Sequence, residues 1–190
     1  MSDRILILVA LSVILAMVVG TSLQLRKPQF APPLNIESMV KASPPRPLEA
    51  VASVDADGIA VPFNSRIKRP TLISFWATWC VPCLRELPTV GQFRTMAAAA
   101  GIDVLTVSED KEGAGPPVHL LAEKGLGDLP LVVDADGALA KALGVRGMPT
   151  TLIINAKGEE IARMEGEADW GQRSSLDAVI GLLDIGVPTR

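Results

Sequence analysis

Histidine occurs once in this chain of 190 residues, and cysteine twice. A structural zinc site takes about four Cys or His ligands, so two cysteines and one histidine cannot supply it. Two cysteines also cannot make the disulfide framework that staples small secreted domains. His119 stands apart from any constellation of metal-ligating or acidic residues and reads as a surface or helix-start residue. Positive charge is scarce as well. Residues 1–27 hold Arg4, Arg26, Lys27 and Asp3, and the remainder carries 15 Lys and Arg against 20 Asp and Glu, a net charge of −5. That speaks against a nucleic-acid binder, which needs a basic patch to neutralise phosphates. No run of like charge, internal repeat, phosphate-binding glycine motif or Ser/His/Asp arrangement is present.

Charge is also missing from Ile5 to Leu25, 21 residues made mostly of Ile, Leu, Val and Ala. As a helix at ~1.5 Å per residue the run would extend roughly 31 Å, enough to cross a hydrocarbon core of ~30 Å. It is apolar on all faces, unlike a core helix, and longer than the ~7–15 residue core of a cleaved signal peptide. It is therefore read as a transmembrane anchor over 5–25, with a cleaved signal as the alternative. Arg26 and Lys27 outweigh Arg4 by about one charge, which by the positive-inside rule favours a cytoplasmic C-terminus. Residues 26–47 follow with Pro28, Pro32, Pro33, Pro44, Pro45 and Pro47. Proline at this density removes backbone donors and favours an extended chain, so a linker or stalk is expected there.

From Leu48 the pattern is that of a folded domain, expected over 48–187. Asp55-Ala56-Asp57-Gly58 is a turn signal between two short apolar segments and predicts a β-hairpin. Strands are expected at 70–76, 102–107, 131–133, 150–154 and 159–165. Helices are expected at about 80–100, 118–124, 137–143 and 170–183. A kink is expected at Pro88, and Glu109 to Pro117 reads as a polar loop. Strands alternating with helices predict an α/β fold, a mixed sheet flanked by helices with the hairpin added at its N-terminal side.

Both cysteines lie in Phe75-Trp76-Ala77-Thr78-Trp79-Cys80-Val81-Pro82-Cys83, at the junction between a predicted strand and a predicted helix. The first turn of a helix has unpaired N–H groups and partial positive charge, so a thiolate there is stabilised. The second thiol lies on the same side of that turn and can close a disulfide. A permanent structural bridge is a poor reading, because so short a loop staples almost nothing.

This motif resembles the active site of the thioredoxin superfamily, and most closely its membrane-anchored TlpA-like or ResA-like branch. Arg85-Glu86-Leu87-Pro88, Gly147-Met148-Pro149-Thr150-Thr151, Asn155-Ala156-Lys157-Gly158 and Gly166-Glu167-Ala168-Asp169-Trp170 extend the resemblance over about residues 48–185. It implies a thioredoxin-like fold and a thiol–disulfide oxidoreductase with no cofactor beyond the redox-active Cys80–Cys83 disulfide. Cys80 would be the nucleophile and Cys83 the resolving thiol. Pro149 corresponds to the family's cis-proline, which would set the Met148 backbone beside the sulfurs, where it can pair with a bound peptide. Trp79, Pro82, Met148 and Pro149 are the candidate substrate-binding residues, and Trp76 is expected beneath the site as core. Glu86 corresponds to an acidic residue of the ResA-like branch that would raise thiol pKa values or relay a proton; a solvated helix carboxylate is the alternative. Many thioredoxins carry a buried Asp six residues before the first Cys. Ser74 stands at that position here, so proton handling would fall to Glu86, water or the partner.

The resemblance further implies a monomer anchored in a bacterial inner membrane, with its domain in the periplasm. There it would reduce disulfides in apocytochromes c or cytochrome oxidase assembly proteins and be recharged by a transmembrane electron donor. A Cu(I)-binding module using the same cysteines is the alternative of another class. A peroxide-reducing role ranks below both, because the usual Pro/Thr surround before a peroxidatic Cys is missing.

Overall fold

The computed structural model describes residues 33–185, together with Val13 and Met17. The expected anchor over 5–25 lies outside the described residues but for those two, and among the described residues no helix is long and apolar enough to cross a membrane. The chain divides into two compact units, 1–32 and 33–190, and only the second is described below.

Its frame is an eight-stranded sheet. The strands are β1 (Val40–Pro47), β2 (Ala52–Asp55), β3 (Ala60–Pro62), β4 (Thr71–Trp76), β5 (Asp103–Ser108), β6 (Leu131–Val133), β7 (Thr150–Ile154) and β8 (Glu159–Glu165). They lie in the order β1-β8-β7-β4-β5-β6-β2-β3. β4, β5 and β6 run parallel, while β7 is antiparallel to β4, and β8 to β7. The sheet is therefore mixed. β2 and β3 form the predicted hairpin, with β2 paired to β6. All six residues of β4 are buried, as suits a central strand covered on both faces.

The period of two along β4 divides the core. Leu72 and Trp76 face a cluster with Leu87, Val90 and Phe93 of helix α1 (Val81–Ala97), Leu121 of α2 (Gly115–Glu123), and Leu176, Val179 and Ile180 of α4 (Arg173–Leu183). Ile73 and Phe75 face a second cluster with Phe63, Leu152, and Leu139 and Leu143 at helix α3 (Ala138–Ala142). α1 passes into a short 3-10 turn, Ala98–Ala100, which stops at Gly101 with φ 69°, a conformation that glycine adopts without Cβ strain.

Two local readings are corrected. The proline-rich residues 40–47 were expected to belong to the linker, yet they form β1 and pair with β8. The pairing survives because β1 is an edge strand and needs donors on one side only. The register jumps between Lys41 and Arg46, so Pro44 and Pro45 fall in the unpaired bulge, where the Ser43–Pro44 bond is cis. The expected loop over 109–117 ends earlier, because α2 begins at Gly115 with prolines in its first turn. That turn's N–H groups have no helical acceptor, so proline costs nothing there. Pro88 lies inside α1, which is continuous from Val81 to Ala97.

Candidate active site

β4 ends at Trp76 and a short loop leads to Cys80, the N-cap of α1, with extended backbone at φ −87° and ψ 98°. Pro82 falls in the first helical turn, where its fixed φ suits helix initiation. Cys80 and Cys83 are joined as a disulfide, with Cα atoms 5.3 Å apart. The Cys83 N–H donates to Cys80 Sγ at 3.3 Å. In the dithiol state this donor and the helix terminus behind it favour negative charge on Cys80. The two cysteines differ in access: Cys80 is 6% exposed and Cys83 1%. Trp79 and Val81 flank them as exposed apolar side chains, at 64% and 50%. Trp76 is fully buried, in the same core cluster as both cysteines.

The β4–β7 register runs to Phe75–Thr150 and so brings residues 148–149 to the end of β4, from which the cysteine loop departs. The Met148–Pro149 bond is cis. Met148 packs against the cluster that contains both cysteines, and the Pro149 carbonyl accepts from Gly166 N–H at 2.8 Å. A shallow cavity of about 290 Å³ lies here, lined by Arg146, Met148, Pro149, Glu165 and adjacent backbone. A larger one, about 730 Å³, opens among Arg66, Arg69, Thr71, Arg94 and Asp103 at the opposite end of β4 and β5, away from the sulfurs.

Glu86 lies one helical turn after Cys83, on the same side of α1. It is buried, at 2% exposure. Its Oε1 accepts from Trp170 Nε1–H at 2.8 Å and from Ala168 N–H at 3.1 Å. Burial pushes its pKa up to about 7 against the pull of those two donors, and the neighbouring Glu167 adds to the rise. A solvated helix glutamate is therefore not what stands here. Ser74 is buried on β4, in one row across the sheet with Thr106 of β5 and Thr151 of β7. The His119 imidazole is exposed on α2, 3.4 Å from Glu123.

Sequence reasoning missed two groups near the cysteines. Trp170 was grouped with the Gly166–Trp170 motif but not with Glu86, whose carboxylate it holds across 84 positions of chain. Asp110 was placed in a polar loop, whereas its carboxylate is buried against the cysteine loop. Long-range hydrogen bonds of this kind leave no periodic signal; only the short Ser108-Glu109-Asp110 run after a strand hints at a turn.

The chain matches the model of the redoxin family over residues 40–180. It is 30% identical over 120 residues to the thiol-disulfide oxidoreductase ResA of Geobacillus thermodenitrificans, a match covering 58% of this chain and 66% of that protein. It is 35% identical over 95 residues to the thiol:disulfide interchange protein DsbE homolog of Paracoccus denitrificans, covering 50% of each. The chain thus spans between half and just under two thirds of these curated relatives. Among solved structures it is similar to a secreted thiol-disulfide isomerase from Corynebacterium glutamicum. That likeness has a TM-score of 0.65 at 20% identity, over 83% of this chain and 98% of the other. At such identity the likeness concerns the fold, which is thioredoxin-like.

Proposed function

The chain belongs to the redoxin family, in the ResA-like branch of the thioredoxin superfamily, and on that footing we propose that it is a protein-disulfide reductase acting through Cys80 and Cys83. The observation that carries the proposal is the cysteine pair at the start of α1, with the more exposed cysteine at the N-cap. The Cys80 thiolate attacks one sulfur of a partner disulfide. The partner's S–S bond breaks, its second sulfur leaves and takes a proton, and a mixed disulfide joins Cys80 to the partner. Cys83 then loses its proton and attacks the Cys80 sulfur. The Cys80–Cys83 bond closes, the partner leaves with both sulfurs reduced, and two electrons have passed to it. Glu86, buried one turn away with a pKa about 7, is suited to take the Cys83 proton near neutral pH.

The partner segment lies across Trp79, Pro82 and the Met148–Pro149 backbone in this reading, in extended form. A Trp79→Ala chain is expected to reduce insulin with a KM several-fold higher, while its oxidation by a small disulfide proceeds at the parental rate. An aromatic side chain this exposed has little to hold in the fold and much to offer a protein surface. Equal losses on both substrates would assign Trp79 to the chemistry instead.

We place the domain in the periplasm, tethered to a bacterial inner membrane through residues 5–25. Its substrates in this proposal are apocytochromes c or cytochrome oxidase assembly proteins, and a transmembrane carrier returns the electrons. The charge-free run supports the tether. A compartment that favours disulfides supports the need for a dedicated reductant. The reduction potential of the Cys80–Cys83 pair in the full chain tests the direction of flow. A value well below that of periplasmic oxidants is expected, and a value near theirs would reverse the proposal. A topology reporter fused after residue 190 is expected outside the cytoplasm, and a cytoplasmic signal would overturn the compartment.

A further inference from the structure

Asp110 is a buried carboxylate, 1% exposed, at the end of β5, and among the described residues it forms no ion pair. An unpaired charge in that position is costly unless hydrogen bonds satisfy it. Its donors come from two residues. Thr78 N–H reaches both carboxylate oxygens, at 3.0 and 3.2 Å, and the Thr78 hydroxyl donates to Oδ1. The Ser108 hydroxyl donates to Oδ2 at 2.6 Å and accepts from Asp110 N–H at 3.1 Å. The bonds from Thr78 reach back 32 positions to the loop that carries the nucleophile. That loop is tied at two further points: Glu109 N–H donates to the Trp76 carbonyl at 2.9 Å and Cys80 N–H to the Ala77 carbonyl at 3.1 Å.

We propose that Asp110 is a positioning residue for Cys80, acting through Thr78 to hold the Trp76–Cys80 loop so that Cys80 Sγ faces the Cys83 N–H. The inference rests on the reading of Cys80 as the attacking thiol. Charge-assisted bonds to a backbone N–H and a hydroxyl are the strong kind, and they end two residues before the reacting sulfur. The contact at stake is Cys83 N–H to Cys80 Sγ, 3.3 Å in the disulfide form, and once the S–S bond is open a hydrogen bond of this kind weakens steeply as the loop drifts.

The sign of the effect separates positioning from plain electrostatics. A carboxylate acting on Cys80 by charge alone disfavours the thiolate, so its removal would make Cys80 more reactive. A carboxylate that acts through the loop favours the thiolate, so its removal makes Cys80 less reactive. The test is the rate of alkylation of Cys80 by iodoacetamide between pH 5 and 9, in the full chain carrying Cys83→Ser, where Cys80 is the sole thiol. The measurement needs no partner protein, so it stands even if no disulfide substrate is found and the functional reading fails.

Asp110→Ala is expected to slow alkylation at pH 7 about tenfold and to move the inflection of the profile upward. Asp110→Asn, which keeps one acceptor oxygen, is expected to recover part of that loss. Thr78→Val, which leaves the charge and removes the hydroxyl, is expected to slow the reaction in the same direction. A folded Asp110→Ala chain that is alkylated as fast as its parent, or faster, would overturn the proposal. Should that chain fail to fold, Thr78→Val decides: slower alkylation supports the proposal and an unchanged rate overturns it.

Discussion

A chain carrying Cys80→Ser is expected to show disulfide exchange no faster than the uncatalysed background, while Cys83→Ser accumulates mixed disulfides with partner proteins through Cys80. The asymmetry follows from position. Cys80 stands at the N-cap, where the dipole of α1 and the Cys83 N–H both favour its thiolate, and it is the more exposed of the two cysteines. Cys83 lies in the first turn of α1 and is buried more deeply than Cys80, in the core cluster with Leu87 and Trp76. Its reach is the Cys80 sulfur, so removing it leaves the first exchange intact and abolishes release. Non-reducing gels of cells carrying each variant in the full chain give the result directly. Equal trapping by the two variants would overturn the assignment of roles. Absence of any trapped partner, together with absence of insulin reduction by the parent chain, would overturn the reductase proposal itself.

Glu86→Gln is expected to raise stability above neutral pH and to lower the rate of exchange. Burial lifts the folded-state pKa of Glu86 from 4.5 to about 7. Between those values the folded chain holds a proton that the unfolded chain has lost. The stability contributed by Glu86 is therefore complete below pH 4.5 and declines until about pH 7, by up to about 3 kcal/mol. Glutamine keeps an oxygen for Trp170 Nε1–H and Ala168 N–H but carries no charge to bury, so the Glu86 share of the slope should disappear. Urea unfolding at pH 5 and pH 8 measures it: the parent loses more stability across the interval than the variant, in which Glu109, also raised by burial and by Asp134, still titrates. The kinetic cost is expected on the order of a hundredfold in disulfide exchange at pH 7, the scale of a lost proton acceptor. An unchanged exchange rate alongside the altered unfolding slope would leave Glu86 with a purely structural role. A carboxyl kept where it destabilises the fold at working pH is the pattern expected of a group retained for its chemistry.

Much of the scaffold was legible because it rests on local rules. The apolar runs in 71–76 and 150–154, the turn Asp55–Gly58 and the stop at Gly101 all encode backbone geometry within a few residues. The prolines of 40–47 misled for a related reason. Proline density reports the loss of donors, but whether those donors would have been used depends on the strand's place in the sheet. At the edge, beside a bulge, they are not needed.

The cysteine pair, its place at a strand-to-helix junction and the family resemblance were determined by the sequence alone, since each is a matter of residue type and short spacing. What surrounds the pair was decided by tertiary structure. Only the packing of 168–170 onto α1 makes Glu86 a buried acid with a pKa about 7 rather than a solvated one. The parallel pairing of β5 with β4 carries Asp110 to Thr78. The antiparallel pairing of β7 with β4 sets Met148 and Pro149 at the end of β4 where the cysteine loop begins. These contacts join residues 32 to 84 positions apart. Such partners are selected by how sheet and helices pack, and desolvation then sets the charge state of the groups they enclose.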